Sequence, residues 1–234
     1  MTPVVLFLAV VAGIAAWWLS QQRLMAKPWL EEGPTGGFPD LNAPSLPTAK
    51  IGLGVFIAVA SCLFTLFVSA YLMRMDLGDW RPLPAPKLLW LNTGLLALGS
   101  LALHGAQLAA RRGEMKSTRT GLLAGGAFAV AFLAGQLVVW RHLLAEGYFA
   151  DTNAALAFFY LLTGMHGLHV LGGMAAWGRT ARKAWHEVDV RRVRLSVELC
   201  AIYWHFLLVV WLVLFALLAG WLGDFVAICR QLSA

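Results

Sequence analysis

The amino-acid sequence predicts an all-α integral membrane protein with six transmembrane helices. Hydrophobic residues make up 60% of the 234 residues and charged residues only 13%, whereas soluble domains contain about 45–50% and about 25%. The mean hydropathy is +0.71. Such a chain has too few polar side chains to cover a surface in water. A soluble enzyme, a nucleic-acid-binding module and a disordered protein are therefore excluded as first interpretations.

Six apolar stretches are long enough to cross a bilayer, which takes about 20 residues of helix. They are residues 3–20, 51–73, 88–110, 121–140, 154–178 and 195–222. The first stretch is short and begins at Pro3, so a signal peptide is the alternative. It has no Lys or Arg near Met1 and no clear small-residue cleavage site before the next polar turn. We therefore expect residues 1–22 to form a retained N-terminal helix.

A segment rich in proline and glycine, residues 23–49, separates the first helix from the others. Its prolines are Pro28, Pro34, Pro39, Pro44 and Pro47. Proline removes a backbone donor and clashes with the preceding helical turn, so a long helix is excluded. We predict an extended strap along the membrane surface. The rest of the chain divides into a five-helix membrane bundle, residues 50–224, and a C-terminal tail, residues 225–234.

The distribution of basic residues predicts the orientation of the chain. The segments 21–50, 111–119 and 179–194 contain 13 Lys and Arg residues, and the alternate segments contain 5. The positive-inside rule places the more basic segments in the cytoplasm. The loops 111–119 and 179–194 are therefore expected to be cytoplasmic, with both termini outside. The net charge of +6 then reflects orientation and implies no nucleic acid.

Polar side chains inside the predicted spans are informative, because a charged residue at the bilayer centre costs about 2.5–3.5 kcal/mol on insertion scales. Ser100, His104 and Gln107 share one face of their helix, by their spacing of four and three residues. The other candidates for a structural polar core are Gln136, His166, His169, Glu198, Tyr203, Trp204 and His205. Gly121-x-x-x-Gly125 is a weak helix-packing motif beside them.

The intramembrane histidines allow two interpretations. A bis-histidine haem site would need two imidazoles on facing helices at one depth, for example His166 and His205. The alternative is that these side chains hydrogen-bond between helices, as His, Gln and Ser do in membrane bundles. Nothing in the sequence brings the histidines together, so the second interpretation is favoured. The three cysteines form no CxxC motif and indicate no metal cluster. The residues alone name no reaction, and the haem site stays open as the less favoured interpretation.

Five runs along residues 50–222 contain these polar residues in a recognisable order. They are KIGLGVFIAVASCLF at 50–64, LNTGLLALGSLALH at 91–104, Gly135-Gln136, LTGMHGLHVLGG at 162–173 and LCAIYWHFLLVVWLVL at 199–214. The last resembles the YWHFVDVVW signature of the haem–copper cytochrome c oxidase subunit III family, with Glu198 seven residues before His205. The fourth resembles the TGxHGxHV element of the family, and the first three resemble its remaining core helices.

Three positions depart from the family pattern. Ala60 stands where the family usually has a glutamate in the first core helix. Val139 replaces the glutamate before the tryptophan at 140, and Leu208 replaces the aspartate of the last motif. The resemblance is therefore to a divergent bacterial member. Because this chain lacks the three carboxylates, we expect no role in proton delivery that depends on them.

The resemblance implies a five-helix subunit III-like core plus one extra N-terminal helix. It implies a non-catalytic subunit III of a bacterial haem–copper terminal oxidase, packed directly on subunit I with subunit II in the same complex. Haem and copper belong to those partners, and the enzyme is a proton-translocating cytochrome c or quinol oxidase of the plasma membrane in aerobic respiration. Alternatives are a subunit III-like component of a nitric oxide reductase or another respiratory assembly and, more remotely, an independent transporter or b-type cytochrome.

Residue roles also follow from the resemblance. It implies no catalytic, cofactor-binding or metal-binding residues in this chain. The histidines become structural residues of the bundle, and Glu198 is expected to bond a histidine of the span at 154–178. Bound phospholipid is expected, with Arg182 and Lys183 as candidates for headgroup contact.

Overall fold

A computed structural model describes residues 13, 47–75, 77, 80–81, 87–151 and 153–221 of the chain. Five long helices are present there: α1 (Thr48–Met75), α2 (Leu88–Arg112), α3 (Met115–Ala145), α4 (Ala154–His186) and α5 (Val190–Leu218). Each is long and apolar enough to cross a membrane. The predicted N-terminal helix, apart from Gly13, the strap up to residue 46 and the tail 225–234 lie outside the described residues.

Local sequence signals fix several helix ends. α2 ends at Gly113, whose φ of 83° is left-handed and whose N–H reaches the carbonyls of Ala109 and Ala110. Asn153 caps the start of α4, because its side chain accepts a hydrogen bond from the N–H of Ala155. Asp189 caps α5 in the same way through the N–H of Arg191.

All five helices extend beyond the apolar stretches that predicted them, and α3 and α4 extend the furthest. α3 begins at Met115, although the apolar run begins at 121, and α4 continues to His186, although the run ends at 178. The length of an apolar stretch reflects only the thickness of the hydrocarbon layer. The backbone hydrogen bonds of the helix continue beyond that layer into charged turns. The number and order of these five spans agree with the sequence prediction.

Helices α2, α3, α4 and α5 form a closed ring, in which α2 packs on α3 and α5, and α4 packs on α3 and α5. The α2–α3 contact is the closest. A Cβ added to Gly121 would lie 2.8 Å from Cβ of Ala106 and 2.9 Å from the carbonyl oxygen of Ala102. Glycine at this position therefore lets the two backbones approach, as the Gly121-x-x-x-Gly125 motif predicted.

Residues 59–75 of α1 pack on α4. Their buried side chains, Ala60, Phe64, Val68 and Tyr71, recur on one helix face. The ring of Phe64 lies 5.1 Å from that of His169, centroid to centroid. Residues 1–58 and 59–234 are two compact units, and the earlier turns of α1 belong to the first of them.

Candidate functional site

An aromatic centre, formed by Phe132, His166 and Trp211, fills the middle of the four-helix ring. All three are fully buried. The ring centroid of His166 lies 5.6 Å from that of Phe132 and 5.0 Å from that of Trp211. His166 Nε2 lies 3.1 Å from the carbonyl oxygen of Leu207, so this nitrogen carries the proton and donates. The indole N–H of Trp211 donates to Thr93 Oγ1 at 2.9 Å. The aromatic centre thus joins all four helices of the ring.

A second contact in the interior joins α2 to α3 through two amides. Asn92 Nδ2 donates to Gln136 Oε1 at 3.3 Å, and both side chains are buried. The side-chain oxygen of Asn92, Oδ1, lies so close to Gly135 that a Cβ on this glycine would overlap it. The structure therefore gives Gln136 a partner, Asn92, that the sequence analysis did not single out. The only signal for Asn92 was its place in the LNTG run.

Two tryptophans form hydrogen bonds between α3 and α4, at different positions along the helices. Trp140 donates its indole N–H to Thr163 Oγ1 at 3.1 Å. Trp177 donates to the carbonyl oxygen of Leu122 at 2.9 Å, and its ring lies against Gly126, where a Cβ would overlap it. At the Trp177 contact, a glycine lets the indole ring approach and the indole N–H forms a hydrogen bond between the helices. Small residues and interhelical hydrogen bonds are both typical of helix association in lipid.

Three predicted polar residues form a hydrogen-bonded chain between α2 and α5. Ser100 Oγ lies 2.5 Å from His205 Nδ1, and His205 Nε2 lies 3.3 Å from His104 Nδ1. Ser100 is buried, His205 is half-buried and His104 is exposed. The chain therefore runs from the interior of the ring to its outer face.

Glu198 lies beside a cation of α2. Its Oε1 is 3.6 Å from Nη2 of Arg111. The sequence analysis expected a histidine of α4 as its partner, and this contact stays a prediction. One ring nitrogen of each of those histidines lies against a backbone carbonyl. His169 Nδ1 lies 2.8 Å from the carbonyl oxygen of Met165, one turn earlier in α4, and accordingly donates to it. The helix rotations that bring Arg111 to Glu198 are not encoded in residue spacing.

Tyr203 and Trp204 lie at the contact of α5 with α4. The hydroxyl of Tyr203 donates to the carbonyl oxygen of His169 at 3.0 Å. Trp204 is fully buried. Both rings lie against Gly173, since a Cβ on that glycine would be 2.7 Å from Tyr203 and 3.0 Å from Trp204.

The two most basic loops lie at the same end of the bundle, and Arg119 of α3 joins them. Its Nε donates to the carbonyl oxygen of Ala184 at 2.9 Å, and its Nη2 donates to that of Glu187 at 3.3 Å. These carbonyls belong to the end of α4, where a cation also interacts favourably with the helix dipole. Arg182 and Lys183, the candidates for headgroup contact, are exposed in this last part of α4.

We expect Arg119→Met to destabilise the end of α4 by about 1–2 kcal/mol, because two hydrogen bonds from a charged donor are lost. Arg119→Lys should be nearly as destabilising, since an ammonium cannot reproduce the fork of the guanidinium. Arg112→Met is the control, because Arg112 is exposed at the end of α2. Hydrogen exchange of residues 180–187 in detergent measures the effect. Equal protection in the Arg119 and Arg112 variants would contradict this role.

The haem hypothesis required His166 and His205 to meet. In the structure they turn to different neighbours, His166 to the backbone of α5 and His205 to Ser100 and His104 of α2. In the described part of the chain, no group of three or more His, Cys, Asp and Glu side chains is placed to hold a metal ion. These two histidines each contact a neighbouring helix.

Fold and interior together define the class of this protein. It is a multi-pass membrane protein in which buried polar and aromatic side chains hold long helices together. A sequence model of cytochrome c oxidase subunit III matches residues 46–223. The chain belongs to the cytochrome c oxidase subunit III family.

Bacterial relatives carry the same family name. The cytochrome c oxidase subunit 3 of Synechocystis is 32% identical over 191 residues, which is 77% of this chain and 76% of the relative. That of Thermostichus vulcanus is 30% identical over 177 residues, or 72% and 85% of the two chains. A cytochrome bo(3) ubiquinol oxidase subunit 3 from Pseudomonas aeruginosa is 28% identical over 124 residues, or 53% and 59%.

The positions that depart from the family pattern lie at packed sites. Ala60 and Val139 are buried, with exposures of 3% and 1%, and Leu208 is half-buried. A carboxylate at either buried site would need a hydrogen-bonding or charged partner. This chain has apolar packing there instead.

Proposed function

We propose that this protein is the non-catalytic subunit III of a bacterial haem–copper terminal oxidase. The observation that carries the proposal is that the family match spans all five described helices. The names of the bacterial relatives favour this function over the alternative in a nitric oxide reductase. The chain would pack on subunit I, with subunit II in the same complex, and would sustain the reduction of oxygen that those subunits catalyse.

The polar interior supports a structural role. Apart from the bond of His169 to Met165 within α4, the polar contacts described above join helices or fix a helix end. The positions of two family glutamates are apolar. We therefore assign haem and copper to the partner subunits. Because Ala60 and Val139 stand where the family usually has glutamates, we assign this chain no proton uptake through carboxylates at those positions. The electron donor of the complex would be cytochrome c or a quinol, because one relative is named a cytochrome c oxidase subunit and another a ubiquinol oxidase subunit.

Orientation and lipid contact complete the proposal. The basic loops 111–119 and 179–194 would face the cytoplasm and the C-terminus the outside, on the positive-inside rule. Arg182 and Lys183 would then lie at the depth of phospholipid headgroups in the cytoplasmic leaflet. The residues 3–20 would form a sixth helix, joined to the bundle by the strap 23–49, on the strength of their apolar sequence.

Purification of the tagged chain from its native membranes in a mild detergent tests the function. We expect it to bring along a larger subunit whose reduced-minus-oxidised optical spectrum shows haem, together with copper. Membranes containing the untagged chain provide the control. Recovery of the folded chain without a haem-bearing partner would refute the proposal, and a partner that reduces nitric oxide and lacks copper would favour the alternative assembly.

A further inference from the structure

His104 presents a hydrogen-bond donor to the membrane. The chain of bonds from Ser100 determines this, because each neutral imidazole has one donor and one acceptor nitrogen. If the hydroxyl of Ser100 donates to His205 Nδ1, then His205 Nε2 donates to His104 Nδ1, and all these groups are satisfied. In the reverse order the hydroxyl hydrogen of Ser100 has no acceptor among the residues that the structure describes. The first order leaves an N–H at Nε2 of His104.

This donor lies at the depth of the hydrocarbon. His104 is eight residues before the end of α2 at Arg112, which is about 12 Å along the helix axis. Its neighbours one turn away on the same face, Leu101 and Leu108, are 66% and 39% exposed. Among the described residues, none is recorded as a partner for Nε2 of His104. Lipid tails offer no acceptor, and a polar group without a hydrogen-bond partner is strongly unfavourable in hydrocarbon.

The surface beside His104 allows another helix to approach. A Cβ added to Gly105 would have no atom within 4 Å. Gly105 also lines a shallow groove between α2 and α3 with Ala102, Thr120 and Gly121, and the groove continues to Ser117 and Lys116. Small residues beside an intramembrane donor are typical of surfaces where transmembrane helices associate.

We propose that the His104 face, formed by Leu101, His104, Gly105 and Leu108, is the docking surface for a transmembrane helix of another subunit. The Nε2–H of His104 donates a hydrogen bond to an oxygen acceptor on that helix. The identification of the partner as an oxidase subunit rests on the proposed function, whereas the location of the surface rests on the geometry of this chain.

Variants of two exposed glycines, Gly105 and Gly172, test the surface in the full complex. Gly105→Leu places a bulky side chain on the His104 face, and Gly172→Leu does the same on α4, where the glycine also has no neighbouring atom within 4 Å. We expect Gly105→Leu to reduce the haem recovered per tagged chain at least about threefold. Gly172→Leu should recover as much as the unaltered chain. Equal recovery with both variants would overturn the proposal.

Variants of His104 test the hydrogen bond. His104→Leu removes the donor and should also reduce recovery at least about threefold, whereas His104→Gln retains an N–H and should restore most of it. Circular dichroism and gel filtration of each purified chain establish that it is folded. A folded His104→Leu chain that retains the full haem ratio would show that His104 Nε2 has no partner in the complex.

A photo-reactive amino acid separates a failure of this proposal from a failure of the proposed function. Placed at Leu101, it should form a cross-link to another protein; placed at Leu168, which is 61% exposed on α4, it serves as the control and should form far less of that product. A cross-linked protein without haem would retain the docking surface and refute the oxidase assignment. Adducts of Leu101 with lipid alone, or with a second copy of this chain, would overturn the docking surface itself.

Discussion

Gly173→Ala is expected to destabilise the bundle by about 2 kcal/mol, the middle of the range for overpacking a closed core. The added methyl group would lie 2.7 Å from the ring of Tyr203 and 3.0 Å from that of Trp204. Neither ring can retreat easily, because their residues are only 7% and 0% exposed. Helices α4 and α5 must therefore move apart. Thermal unfolding of the purified protein in detergent measures the loss.

The adjacent glycine provides a matched control for this prediction. A Cβ on Gly172 would meet no atom within 4 Å. There, the gain in helix propensity from glycine to alanine, worth up to about 1 kcal/mol, is not opposed by a clash. Gly172→Ala should leave the melting temperature unchanged or raise it. If Gly173→Ala behaved in the same way, the close α4–α5 contact at this level would be wrong.

Trp211→Ala is expected to cost about 3–5 kcal/mol, the range for truncating a large buried aromatic side chain. The substitution leaves a cavity in the aromatic centre and removes the ring contacts of Trp211 with Phe132 and His166. It also leaves Thr93 Oγ1 without its indole donor. In the complex, such a loss should appear as a lower yield of assembled oxidase. Unfolding in detergent measures the free energy directly.

Two further variants separate the contribution of the buried ring from that of the hydrogen bond and provide a control. Trp211→Phe retains most of the buried ring and loses the hydrogen bond to Thr93, which is worth about 0.6 kcal/mol on average between membrane helices. It should therefore be much milder than Trp211→Ala. Trp185→Ala is the control for the residue type, because Trp185 is 44% exposed at the end of α4. A Trp211→Ala protein as stable as the Trp185→Ala protein would refute the central role of this indole.

Much of the fold follows from short-range features of the sequence. An apolar stretch of about 20 residues predicts a span wherever it occurs, because the thickness of hydrocarbon sets the length. The five described spans and their order could be predicted in this way, and the helix ends at Gly113 and Asn153 follow from residues next to them. The family could be predicted for the same reason, because motifs such as TGMHGLH are contiguous in the chain.

The partners of the polar residues could not be predicted. Spacing placed Ser100 and His104 on one face of α2, but it gave no information about which helix that face meets. Glu198 shows the consequence: Arg111 of α2 lies beside it, and the sequence analysis did not select this cation. Arg119 was not selected at all, because its acceptors are backbone carbonyls that carry no signal in the sequence.

The sequence by itself determined that the chain is a membrane protein of the subunit III family, with five helices in a known order. It also determined which residues are too polar for lipid. Only the tertiary structure decided that His166 lies in the aromatic centre while His104 faces outward. The reason is physical: hydropathy and helical spacing are properties of one helix, whereas burial depends on the rotation and separation of several. Close contacts at glycines such as Gly121 and Gly173 set that separation.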